Sequence, residues 1–402
     1  MFAPYRRILA TRHLAGLLAW SLVGRLHFTG TALGLTFLVA GWTGSYTIAG
    51  VVTAALTIGM AIGGPLRGRS IDRRPAPRVL MTGGIVYAVG VTVIAVLPAW
   101  AWPAAPVLAL VSGIMSPPVG SVARVTWSHV PDHTAREATY AAESTLTEVL
   151  FVVGPMIAAM LVSMVSARAA VLACAVMALV GSLGFALALR RAGSLHDTDR
   201  NPAEALGVAG DGVTGRRGSL LRSPGLVALL VMSLLVIGAL SAVDLVLVAW
   251  ARDRGTPGLA GVLSAVWAIG SATGGLVLGS RVGRQRLAVR AAGTAVGLAL
   301  LVPVLPPITA HPAPWLVCLV LAVGGSAIAP MFATSNSRLA AVAPPERRGE
   351  AFGWFATAST MGGALSAPLV GAILDHAGPA QAAALAALLA VGAAMVARLV
   401  PG

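Results

Sequence analysis

Polar positions along the chain are gathered into short gaps, and the stretches between them are apolar for about twenty residues or more. Apolar runs occupy 14–40, 46–66, 78–97, 104–128, 139–164 and 168–190; after a polar stretch they resume at 224–250, 258–279, 288–308, 313–340, 350–373 and 379–399. Each is near the ~20 residues that a helix needs to cross a hydrocarbon core. The runs lack the period-2 alternation of barrel strands, and open strands leave backbone groups unpaired in lipid, so every run predicts a helix. The expected fold class is all-α integral membrane, with twelve transmembrane helices.

The polar stretch 191–222 holds Gly, Asp, Asn, Pro and Arg with little apolar content, and reads as a cytoplasmic linker. It separates an expected first six-helix bundle, 1–190, from a second, 223–402. The two echo one another at a constant offset of 213: Ser116 and Pro117 meet Ala329 and Pro330, Val130 and Pro131 meet Ala343 and Pro344. In the same register Glu137 and Ala138 meet Glu350 and Ala351, and Gly154 and Pro155 meet Ala367 and Pro368. Parallel repeats of this kind mark transporters that rock one pseudo-symmetric half against the other.

Composition and charge sharpen this picture. Only 10% of residues are charged and 57% are hydrophobic, whereas soluble domains carry roughly 25% charged residues. All 28 basic residues are arginine. Without lysine there is no phosphate-binding loop of the Lys-Ser/Thr type and no Schiff base, so chemistry through either is excluded. The net charge of +14 does not point to nucleic acid, because the arginines are dispersed over alternate gaps. The N-terminal segment, the even-numbered gaps and the C-terminal end hold 22 of them, the odd-numbered gaps only Arg168, Arg252 and Arg254. That bias places both termini in the cytoplasm, and Trp100, Trp102, Trp250 and Trp315 then fall near the outer interface. Arg6, Arg7 and Arg12 precede the first run as in a signal peptide, but no cleavage site follows, so a retained helix is expected. Cys174 and Cys318 lie inside apolar runs with no metal or disulfide spacing and read as small packing residues.

The gap after the second run contains Gly68, then Asp72 and Arg73 four and five residues on, then Arg74 and Arg78. It resembles the signature loop of the major facilitator superfamily, with Pro75 standing where that family usually has Gly. The equivalent gap of the second half has Gly279 and basic residues but Ser280 in place of the acid. The resemblance implies that Gly68 permits close helix approach. It also implies that Asp72 sits near a helix N-terminus with Arg73 and Arg78 in reach, latching the halves together in an outward-open state. In the fifth run, Gly154 and Pro155 are similar to the Gly-Pro motif of the superfamily's antiporters, which kinks that helix and seals it against leak. Here Leu150 replaces an upstream glycine, and Ala158 and Ala159 keep the closing positions small. The overall likeness is to drug-efflux members.

Ionisable residues inside the runs are the remaining candidates, because each is costly in lipid unless paired or wetted. They are Arg25, His27, Arg124, Glu143, Glu148, Asp244 and Arg338. Depth counted along the helices pairs Arg124 with Glu143 near the cytoplasmic side and puts Arg25 and Glu148 both near the midplane, where the resemblance implies that helix 5 packs beside helix 1. Glu148 is then the expected proton carrier, a permanent structural ion pair being its bland counterpart. Arg124 and Arg338 have a snorkelling alternative, Asp244 reads as a packing or gate residue ahead of a proton site, and His27 as a packing residue. His129 and His133 are four apart but flank Pro131, which argues against a metal site. The expected activity is proton-coupled export of a small amphipathic compound across the plasma membrane by alternating access. A proton-coupled importer and a non-transporting sensor or assembly protein are the alternatives. No cofactor is called for, no enzyme chemistry is visible, and a monomer in the lipid bilayer is the default.

Overall fold

Caps and breakers convert the apolar runs into helices with defined ends. The Oγ of Ser45 accepts from Ile48 N, Asp132 accepts from Thr134 N, and Ser166 accepts from Ala169 N, each satisfying an N–H that has no intrahelical partner. Gly44 ends the first helix with a positive φ of 67°, a backbone that glycine adopts without strain. The computed structural model describes residues 13–193, 220–256, 258–279 and 286–400. Most of the expected linker and the Ser280 loop fall outside those residues.

Twelve described helices are long and apolar enough to cross a membrane. They are α1 (Leu14–Thr43), α2 (Ile48–Arg73), α3 (Ala76–Val96), α4 (Ala99–Ser128), α5 (His133–Met164) and α6 (Ala167–Ala192), then α7 (Pro224–Ala251), α8 (Leu259–Val277), α9 (Leu287–Val304), α10 (Pro314–Val342), α11 (Pro345–His376) and α12 (Pro379–Leu399). α5 begins six residues before its apolar run, because the Asp132 cap starts the helix through polar positions that hydropathy alone excludes.

Packing repeats with the sequence. In the first half α1 packs on α5 and α6, α2 on α4, and α3 on α4 and α6; in the second, α7 packs on α11 and α12, α8 on α10, and α9 on α10 and α12. α4 and α10 are both interrupted, the first at Ser116–Pro118, and Pro155 and Pro368 both lie inside long helices. The halves meet along two matching seams, α2 on α11 and α5 on α8, with α4 and α5 also touching α10. The α2–α11 seam is built on glycine. A Cβ on Gly64 or Gly68 would run into the backbone of Gly353 or Gly349, and one on Gly353 into Gly64. Such small residues let two backbones approach where side chains would hold them apart.

One of the tryptophans faces the protein. Trp250 is only 2% exposed and packs in the second-half core, with the Arg254 guanidinium 5.2 Å from its ring centroid. Trp100 and Trp315, by contrast, are exposed.

Candidate functional site

The first helix opens where its one arginine sits. Between Val23 and His27 the N–H groups of Arg25 and Leu26 bond carbonyls three residues back, at 3.0 and 3.3 Å. A tightened turn of this kind inside a helix often marks a functional hinge. The Ser21 carbonyl loses its usual backbone donor and accepts instead from Arg25 Nε at 3.2 Å. Arg25 Nη1 then reaches α5, donating to Glu143 Oε1 at 3.1 Å and to Thr147 Oγ1 at 3.4 Å. From the other side Arg124 Nε donates to the same Glu143 oxygen at 3.2 Å.

One carboxylate therefore holds two guanidiniums brought by two other helices. Glu143 is 1% exposed, Arg25 12% and Arg124 18%. A charge this far from water persists only when paired, and here the balance is one positive charge in excess. The pairing is also incomplete. Arg25 Nη2, Glu143 Oε2 and Ser144 Oγ are buried without a hydrogen-bond partner among the described residues. Buried polar atoms are nearly always satisfied, so these three are open to a further hydrogen-bond partner such as water.

The structure places Arg25 on Glu143, where the depth count put Glu148. The cause is the early start of α5. Counted from His133, Glu143 is ten residues in, or ~15 Å, which is the depth Arg25 reaches in α1. The Glu148 side chain lies outside the described residues. Gly154 lies farther along α5, and a Cβ there would collide with Thr29 on α1, so the Gly-Pro segment presses against the helix that carries Arg25. His27 packs its ring 4.9 Å from that of Tyr87. Asp244 is exposed on α7, three residues beyond Ser241, which faces Gly363 of α11.

A second cluster joins the halves at their arginine-rich ends. Asp72 accepts from Gly349 N at 2.6 Å and from Glu350 N at 2.8 Å, so its carboxylate caps the first turn of α11. Negative charge is favoured there by the helix dipole as well as by the two N–H groups. The expected arginines are not its partners: Arg73 and Arg78 are exposed, whereas Arg69 Nε donates to Glu350 Oε1 at 2.9 Å. Ser337 of α10 donates to Glu137 of α5, and Arg348 Nη1 to Ser128 Oγ at 3.2 Å. Thr357 Oγ1 donates to Ala61 O at 2.6 Å, the deepest of these contacts, ~18 Å from the end of α2. Arg69, Glu350 and Glu137 were not singled out as site residues. The available signal was the repeat itself, which aligns Glu137 with Glu350, and both bond across the seam.

The family model described as Major Facilitator Superfamily matches residues 14–367, with a second match over 251–402. The chain belongs to the major facilitator superfamily. It is thus a multi-pass membrane protein of a transporter family that handles small-molecule substrates. Solved structures of the same fold include a bacterial homologue of the iron transporter ferroportin in an outward-facing state, 15% identical with a TM-score of 0.74 over 96% of this chain and 98% of that one. The human organic anion transporter MFSD10 (TETRAN) is 19% identical, with a TM-score of 0.67 over 95% and 98% of the two chains. The proton:xylose symporter XylE is 15% identical, with a TM-score of 0.68 over 97% and 95%. Comparison with curated protein sequences found no match. Iron, an organic anion and a sugar are the cargoes named for these three neighbours, so this major facilitator fold does not by itself select a substrate.

Proposed function

We propose that this chain exports a small amphipathic organic compound from the cytoplasm in exchange for protons, by alternating access in the plasma membrane. The observation that carries the coupling is the shared carboxylate of Glu143. While Arg25 and Arg124 both bond it, its charge is compensated. If the hinge in α1 withdraws Arg25, Glu143 keeps only Arg124 and the positive excess that opposes its protonation is gone. Proton uptake and release are then tied to movement of α1 against α5. The direction of transport is supported by the likeness of Gly154 and Pro155 to the antiporter motif. The substrate class is supported by a membrane interior that carries few charges.

In this reading Asp72, Gly68 and Arg69 latch the arginine-rich side shut when the opposite side is open. Glu143→Gln mimics the protonated group and keeps its shape. In proteoliposomes it is expected to abolish pH-gradient-driven transport while leaving substrate exchange intact, and Glu148→Gln tested beside it separates the two carboxylates. Compound uptake by inverted vesicles reads the direction. Normal gradient-driven transport by both variants would remove proton coupling through α5.

A further inference from the structure

The halves do not meet flush at their arginine-rich ends. Between the ends of α4 and α10 and the first turns of α5 and α11 lies a cavity of about 370 Å³. Three arginines line it, Arg136 from α5, Arg338 from α10 and Arg348 from α11, against a single carboxylate, that of Glu137. Neutral acceptors hold Arg136 and Arg348. Arg136 Nη1 donates to Val130 O at 3.4 Å, and Arg348 donates to Ala340 O at 3.0 Å and Ser128 Oγ at 3.2 Å. Those bonds orient the guanidiniums without neutralising them. Glu137 is engaged by the Ser337 hydroxyl.

A pocket of this size with excess positive charge and several hydroxyls selects a compact anion with more than one negative charge and several acceptor oxygens. A carboxylate offers two oxygens and one charge; a phosphate group offers three free oxygens and close to two charges. The lining comes from both halves, so an anion seated there touches both at once. It binds the closed arrangement better than the open one and shifts the population toward it.

We propose that this vestibule is a phosphate-group site, filled from the arginine-rich side by a phosphorylated solute or by a phosphomonoester lipid headgroup, and that the bound anion holds that side of the transporter shut. The site is independent of the cargo and of the coupling ion.

The test uses purified full-length protein carrying spin labels at the arginine-rich ends of the two halves. Inorganic phosphate is titrated against chloride at matched ionic strength, and nanodiscs containing phosphatidic acid are compared with phosphatidylcholine alone. Either phosphate or phosphatidic acid is expected to raise the unfolding temperature and enrich the short interlabel distance, and which of them acts identifies the source. Arg136→Gln combined with Arg338→Gln should weaken the response about tenfold or more, as expected for lost charge-assisted hydrogen bonds. Lysine at both positions should restore part of it. If phosphate acts no differently from chloride and phosphatidic acid no differently from phosphatidylcholine, the proposal fails whether or not the variants fold. An undiminished response in the folded glutamine variant also overturns it.

Discussion

At Glu143 a single oxygen serves two cations, and that asymmetry makes the three residues unequal. Removing Arg124 leaves Glu143 with Arg25, and removing Arg25 leaves it with Arg124. Removing Glu143 strands both guanidiniums in a site nearly closed to solvent. Breaking a buried pair by deleting one partner costs about 3–5 kcal/mol. Glu143→Leu is therefore expected to lose stability in that range, and Arg124→Leu distinctly less, measured by thermal unfolding of the detergent-solubilised protein. The charge swap Arg124→Glu with Glu143→Arg should recover part of the loss of the single variants. Its recovery is limited because Arg25 then faces an arginine. Equal losses in Glu143→Leu and Arg124→Leu would mean that the cluster does not share its charge as the geometry shows.

The α2–α11 seam sets how tightly two elements from different halves close. Its glycines bring backbone against backbone, and Asp72 adds two hydrogen bonds at the end of the contact. Asp72→Asn keeps the shape but removes an anion from a helix N-terminus, an interaction worth about 0.3–1 kcal/mol. The ratio of closed to open molecules at the arginine-rich side should fall roughly two- to fivefold. Gly353→Ala acts through sterics instead. The added Cβ meets Gly64 O, which is backbone and cannot turn away, so the closed arrangement should be lost more completely. Distances between labels on α2 and α11 report both effects. An unchanged distance distribution in Gly353→Ala would show that the seam is not what closes that side.

For the whole molecule, the pairing of helices within each half is the same, and the two seams between halves, α2 on α11 and α5 on α8, are related by the same repeat. Apart from Thr357 on Ala61, near the middle of α2, the inter-half hydrogen bonds named above lie toward the arginine-rich ends. If the charge bias sets orientation, those ends face the cytoplasm. A fluorescent protein fused after residue 402 should then mature and fluoresce, while alkaline phosphatase at the same point should stay inactive. A fusion within the gap holding Arg252 and Arg254 should give the opposite result. Active phosphatase at the C-terminal end would invert the topology and, with it, the side to which the vestibule opens.

The sequence alone determined the number of helices, because twenty apolar residues in lipid have one way to satisfy their backbone. It also carried the repeat and the family loop, since both are written in contiguous or constantly spaced residues. It named Arg25, Arg124 and Glu143 as costly residues, because a charge in an apolar run is visible without coordinates, and Asp72 through its place in the family loop. Partners were decided by the tertiary structure. Asp72 meets backbone N–H groups of Gly349 and Glu350, which have no signature in sequence, and Arg69 rather than Arg73 or Arg78 reaches Glu350. Arg25 meets Glu143 because a polar cap at Asp132 starts α5 six residues early and slides every side chain on it about 9 Å along the axis relative to the hydropathy estimate. Hydropathy locates what must be in lipid. Which side chains face one another depends on helix starts, breaks and rotations fixed by packing, and a shift of less than two turns exchanges one glutamate for another.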